Sequence, residues 1–154
     1  MKTAIYNLIK NNNDYSSAIA RLFLGIVIIP HGAQKVLGIW GGHGLNAAMD
    51  SFQQWFGIPS LITVLVALGE FAGGILLVLG LFSRFASAAI ILIMLGAIYY
   101  VVHDHFFMNW YSQPRGEGFE FHILMIGIGL VVLINGSGKY SLDSFLVNKF
   151  YKQD

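Results

Sequence analysis

Four apolar segments, each long enough or nearly long enough to cross a bilayer, dominate this sequence. They cover residues 17–38, 58–82, 85–102 and 119–135, and the last is the shortest. A helix needs about 20 predominantly apolar residues to span about 30 Å of hydrocarbon. A helix also satisfies its own backbone hydrogen bonds, which lipid cannot do. The sequence therefore predicts an all-α integral membrane four-helix bundle.

The composition supports this class of protein and excludes several others. The chain has 154 residues, of which 56% are hydrophobic and 11% are charged, against about 25% charged residues in soluble domains. A net charge of +1 without any basic run gives no basis for nucleic-acid binding. Cysteine is absent, which excludes disulfides, thiolate catalysis and iron–sulfur clusters.

The distribution of basic residues predicts how the bundle is oriented. The short turn at Ser83 and Arg84 makes the second and third segments antiparallel neighbours. Seven basic residues then lie on one side of the membrane and two, Lys35 and Arg115, on the other. By the positive-inside rule both termini are cytoplasmic. We expect a cytoplasmic or interfacial segment at 1–16, the membrane domain at 17–146 and a cytoplasmic tail at 147–154.

The loop between the first two segments carries an amphipathic pattern. Its apolar side chains have the spacing expected of a helix lying in the membrane interface. They are Leu45, Met49, Phe52, Trp55 and Phe56.

Ionisable residues inside the apolar segments are the strongest functional signal. Arg21, His31 and Lys35 lie in the first segment, and Arg21 and Lys35 fall within about 40° of one helix face. Glu70 lies near the middle of the second segment, where an unpaired carboxylate is costly. We expect Glu70 to pair with Arg21 or with Lys35. Such a pair either fixes helix register only or forms part of a pocket for a polar or redox-active small molecule.

All five histidines map to the half of the bundle opposite the termini. Imidazoles at one depth either bind a metal or relay protons to a ligand such as a quinone. His31 is the strongest candidate because apolar residues surround it. Glu120 and His122, at the mouth of the fourth segment, are further candidates for ligand binding. His103 and His105 are weak candidates for a metal site.

Several strings in this chain resemble the DoxX family over residues 17–146. Arg21 opens the first helix, and HGAQKVLG from His31 resembles the family's HGxxKhhG pattern, where h is apolar. The strings EFAGGILLVLGL from Glu70, SR at Ser83, GFEF from Gly118 and GSGKYSLD from Gly136 follow in the family's order.

The resemblance implies a four-helix protein of the bacterial inner membrane. Relatives in the family are linked to redox work, including a thiosulfate:quinone oxidoreductase subunit and proteins of quinone or catechol stress. Carried over by position, the candidate functional residues are Arg21, His31, Lys35, Glu70, Arg84 and Glu120. The His103-Asp104-His105 run is not part of the pattern.

Three functions fit these observations. The first is a quinone-associated oxidoreductase subunit, in which His31 and Lys35 bond the ligand and Glu70 and Arg21 set the electrostatics. Its electrons would come from a soluble or membrane redox partner, since the sequence has no flavin or haem motif. The second is a small-solute transporter or exporter, working as a homo-oligomer, with an alternating Glu70–Arg21 pair. The third is a non-catalytic membrane anchor for a soluble redox or stress enzyme.

Overall fold

The computed structural model describes residues 9–10, 12, 14–100, 105–109 and 118–150. This part of the chain contains six complete helices and no strand. The helices are α1 (Tyr15–Leu37), α2 (Gly44–Phe56), α3 (Ser60–Leu79), α4 (Ser83–Tyr100), α5 (Glu120–Asn135) and α6 (Leu142–Phe150).

Four of these helices coincide with the four apolar segments. Within the described residues, α1, α3 and α4 are long and apolar enough to cross a membrane, and α5 is a shorter apolar helix. The prediction of an all-helical membrane bundle is confirmed. The predicted boundary at residue 146 falls inside α6, which continues to Phe150.

The four long helices form a ring in which each packs on two neighbours. α1 contacts α3 and α5, and α4 contacts the same two helices from the other side. The core between them includes Leu24, Ile28, Leu77, Ile90 and Val132, all 0–1% exposed. Large apolar side chains point outward on every long helix, which suits a surface covered by lipid.

α2 lies outside this ring. It contacts α1 and α3, yet none of its residues is buried. The predicted amphipathic helix is therefore present, and its location in the membrane interface stays a prediction. α2 ends at Gly57, in the left-handed conformation (φ 66°), and its backbone N–H bonds the carbonyl of Gln53 at 3.1 Å.

Candidate functional site

The helices α1 and α3 touch backbone to backbone at Gly32. A Cβ atom placed on Gly32 would lie 2.5 Å from Phe71 Cα and 2.8 Å from Glu70 C. Gly74 on α3 is similarly close to α1, because its Cβ would lie 2.7 Å from Ile29 Cγ1. Small residues at such contacts let membrane helices approach closely. This contact brings the side chain of Lys35 within reach of α3.

Lys35 and Glu70 form an ion pair in the membrane domain. Lys35 Nζ lies 2.6 Å from Glu70 Oε2, and it also donates to the carbonyl of His31 at 3.3 Å. The side chain of Glu70 is 6% exposed and that of Lys35 is 21% exposed. Glu70 is ten residues from the start of α3, or about 15 Å along its axis. The carboxylate therefore lies midway along α3, and the ammonium group of Lys35, in the last turn of α1, is its compensating charge.

Two imidazoles lie beside the mouth of this pair. The ring of His31 packs against Phe121 of α5 with centroids 5.7 Å apart, and the side chain of His31 is exposed. His122 is near enough to act electrostatically on His31. The Nδ1 atom of His122 is buried and finds no hydrogen-bond partner among the described residues. A buried imidazole nitrogen without a partner is ready to bond a ligand or to carry a proton.

Together these groups make a polar site in an apolar bundle. Lys35 offers N–H donors, Glu70 holds that cation in place, and His31 and His122 carry imidazole nitrogens that can donate or accept a hydrogen bond. Such a set of few polar groups inside apolar walls is typical of a small-molecule site. The site is open at His31, and it is closed at Glu70, which is 4% exposed. We refer to this end of the bundle as the His31 end.

The ion pair can be tested for a purely structural role with a double substitution. We expect Lys35→Met alone to lower the free energy of unfolding by about 3 kcal/mol, because it leaves the Glu70 carboxylate buried without a partner. Adding Glu70→Leu should recover most of that loss, since an apolar pair of similar volume is often neutral. The measurement is thermal unfolding in detergent. Equal stability of the single and double variants would contradict a buried, coupled pair.

Arg21 lies at the other end of the bundle, far from Glu70, and is 1% exposed. Its guanidinium has five N–H donors, and each one bonds a backbone carbonyl at 2.7–3.2 Å. The acceptors are the carbonyls of Leu77, Val78, Ser137, Lys139 and Tyr140. Arg21 thus fastens the last turn of α3 and the α5–α6 loop onto α1. The transport hypothesis requires Arg21 to bond Glu70 in one state of the protein. All five N–H donors of Arg21 already bond backbone carbonyls, so none is free to bond Glu70.

The α5–α6 loop is held at this same end, which we call the Arg21 end. Asp143, 1% exposed, accepts from the backbone N–H of Phe82 at 2.8 Å and of Ser83 at 3.2 Å, at the start of α4. Burial raises the pKa of the Asp143 carboxyl, while these two N–H donors oppose the shift. Ser17 of α1 donates to the carbonyl of Gly136. The GSGKYSLD string therefore closes the bundle rather than lining a pocket.

Arg84 and Glu120 bind backbone groups as well. Arg84 donates to the carbonyl of Leu133 near the end of α5, and to that of Lys10 at 3.3 Å. Glu120 Oε1 accepts from the backbone N–H of Met108 at 2.9 Å, which ties the 105–109 stretch to the start of α5. Both residues join separate parts of the chain.

No metal centre is found in the part of the chain that the structure describes, where no three His, Cys, Asp or Glu residues are grouped to hold an ion. His105 accepts a backbone bond from Phe119 at 3.0 Å through its carbonyl. His103 lies outside the described residues, so its candidacy as a metal ligand remains a prediction.

Two residues shape the bundle although no role was predicted for them from the sequence. Gly32 sets the spacing of α1 and α3, and Asp143 caps α4. Gly32 lies in the HGAQKVLG string, so its place directly after His31 was the available signal. Asp143 lies in the GSGKYSLD string, but that string does not indicate its partners, which are backbone N–H groups 60 and 61 residues away in sequence.

Comparison with known proteins places the chain among membrane proteins. The DoxX family model matches residues 16–104. An uncharacterized protein of Haemophilus influenzae is 30% identical over 151 residues, with 96% of this chain and 99% of that protein covered. The inner membrane protein YqjF of Escherichia coli is 25% identical, with 92% and 99% covered. A Bacillus subtilis protein named "Putative oxidoreductase CatD" is 26% identical, with 86% and 88% covered. No solved structure matches the chain.

Proposed function

Because the chain belongs to the DoxX family and is a multi-pass inner-membrane protein, we propose that it binds a quinone in the bundle as a subunit of a membrane oxidoreductase. The observation that carries this proposal is the Lys35–Glu70 ion pair, whose carboxylate is buried in the bundle beside His31 and His122. A lipid-soluble electron carrier needs an apolar slot, a few polar groups for its oxygens and a proton route.

The residues present fit a quinone. Its two oxygens are hydrogen-bond acceptors, and Lys35 and His31 supply donors beside the exposed end of the site. The orphaned Nδ1 of His122 is a second imidazole atom available for a proton. When bound, a quinone supplies redox chemistry in which two electrons and two protons are taken up together. Glu70 holds the Lys35 ammonium in place, and the imidazole nitrogens of His31 and His122 offer sites for protons.

The electrons are expected to come from a redox partner. The sequence has no cysteine and no flavin or haem motif, so we assign the electron donor to a soluble or membrane-bound partner subunit. The name of the Bacillus subtilis relative supports an oxidoreductase context. The basic-residue distribution places the Arg21 end in the cytoplasm. In that orientation the His31 end opens to the outside, which is where the site would exchange protons.

The proposal predicts a co-purifying quinone. We expect mass spectrometry of gently purified protein to find a quinone near stoichiometric amount, and Glu70→Gln or His31→Ala to reduce it by about tenfold or more. Glu70→Gln keeps the volume of the side chain and removes the charge that orders Lys35. The matched controls are Asp50→Asn, on the exposed face of α2, and His43→Ala, before α2; both should retain the ligand.

Two results would contradict the proposed function. One is a wild-type protein that contains no quinone and shows no saturable binding when a quinone is added. The other is unchanged quinone content in Glu70→Gln and His31→Ala. If those variants extract poorly or melt much lower than the controls, the ion pair serves stability, and the anchor hypothesis gains weight.

A further inference from the structure

An apolar groove runs along the outside of the bundle where α1 meets α5. Its volume is about 440 Å³, and it begins near the Arg21 end. Phe23 and Ile19 on its rim are 63% and 55% exposed. The groove is lined by Ser16, Ile19, Ala20, Phe23, Ile128 and Val131.

The groove and the His31 end lie on the same helix faces. On α1, Ala20 and His31 are eleven residues apart, which places them within about 20° of one another around the axis and about 17 Å apart along it. On α5, Phe121 contacts His31, and Ile128, seven residues later, lines the groove. Phe121 and Ile128 also share one face of their helix. A single seam therefore connects the polar site to the groove.

Next to the groove, α5 has one position without a side chain. Gly127 precedes the groove residue Val131 by one helical turn, and a Cβ on Gly127 would meet no atom within 4 Å. Val131 itself is 37% exposed. Leu124, one turn after Phe121, is 65% exposed, so a chain lying along α5 between Phe121 and Val131 packs beside the Leu124 side chain.

We infer that this groove holds the hydrocarbon tail of the ligand whose polar head lies at Lys35 and His31. The inference rests on the proposed function and specifies its substrate class: a quinone with a long isoprenoid tail, not a short-tailed or water-soluble one. His31 and the groove share one face of α1 and α5, so an amphiphile with its head at His31 has its tail directed along these two helices. If a phospholipid chain fills the groove instead, the protein has no preference between long-tailed and short-tailed quinones.

The free energy gained when the tail binds in the groove comes from packing. Lipid is as apolar as the groove, so moving a tail from bilayer to groove removes no apolar surface from water. Dispersion contacts with the groove side chains remain, each small but numerous. We therefore expect a moderate preference for the long tail, about fivefold, when binding is expressed as mole fraction in the membrane.

The test compares two probes with the same benzoquinone head, one bearing a single isoprenoid unit and one a long polyisoprenoid tail. Both are titrated into the full-length protein in nanodiscs. Wild type should bind the long-tailed probe about fivefold more tightly. Ala20→Leu and Val131→Phe, which fill the groove from α1 and α5, should reduce that preference to less than twofold. Leu92→Phe, on the exposed outer face of α4, is the matched control and should leave it unchanged.

The outcomes separate the two proposals. If both probes bind equally to wild type, or if neither groove variant changes the preference, the tail site is wrong while quinone binding stands. If wild type binds neither probe, the proposed function fails and the tail site fails with it. One groove variant lies on α1 and the other on α5, so the test still holds if one of them misfolds. The preference is the ratio of two affinities measured on the same folded protein.

Discussion

Replacing Arg21 with lysine is expected to lower the free energy of unfolding by about 3–5 kcal/mol, because buried carbonyls lose charge-assisted hydrogen bonds worth about 1.5–3 kcal/mol each. The guanidinium bonds five backbone carbonyls from a position that is 1% exposed. Lysine keeps the charge but has three donors and no planar fork, so at least two carbonyls lose their partner. Thermal and denaturant unfolding in detergent measure the effect.

Arg84→Lys is the matched control for this substitution. Arg84 also bonds backbone carbonyls, but it bonds two and is not fully buried. We expect a loss of about 1 kcal/mol there. Equal effects at Arg21 and Arg84 would contradict the central role of Arg21 in closing the bundle. Since Arg21 is far from Lys35, the folded fraction of Arg21→Lys should still bind quinone.

Gly32→Ala is expected to push the α1 and α3 helices apart, because their backbones meet at this position. The added Cβ would lie 2.5 Å from Phe71 Cα and 2.8 Å from Glu70 C, so α1 must move away from α3. Overpacking of this kind costs about 1–3 kcal/mol. The same movement withdraws Lys35 from Glu70, so quinone content should fall together with stability. Both are measured on one detergent preparation.

Gly127→Ala and Gly96→Ala are the controls for the methyl group itself. Both glycines lie in helices, α5 and α4, and at neither position would a Cβ meet an atom within 4 Å. We expect alanine there to be neutral or to stabilise by up to about 1 kcal/mol, because glycine is the poorer helix former. A Gly32→Ala variant as stable as these would show that α1 and α3 are not in backbone contact.

The helices were predictable because their signal is local. Residues 17–38, 58–82, 85–102 and 119–135 were read from apolar length, and the observed helices are Tyr15–Leu37, Ser60–Leu79, Ser83–Tyr100 and Glu120–Asn135. The largest differences are at the 58–82 segment. The helix there begins after Pro59 and ends before Gly80, inside the limits read from hydropathy. Proline before a helix and a left-handed glycine after it are stronger end signals than apolar composition.

The roles of the charged residues were only partly predictable. Helical spacing placed Arg21 and Lys35 on nearly one face and left both as partners for Glu70. The structure separates them by depth: Lys35 reaches Glu70, while Arg21 bonds carbonyls of α3 and the α5–α6 loop. Backbone carbonyls have no residue signature, so a sequence cannot reveal them as the partners of an arginine. The roles of His31, His122 and Glu120 in ligand binding stay predictions.

The unequal lengths of the helices have a consequence for the surrounding bilayer. α5 has 16 residues and α1 has 23, or about 24 Å and 35 Å of helix. A hydrocarbon layer of about 30 Å meets one helix that is too short and a neighbour that is too long. Such hydrophobic mismatch is relieved by thinning the bilayer beside α5 and tilting α1. Headgroups and water then come nearer to α5, and since Phe121 of α5 packs on His31, the distance a proton travels to reach His31 is shortened.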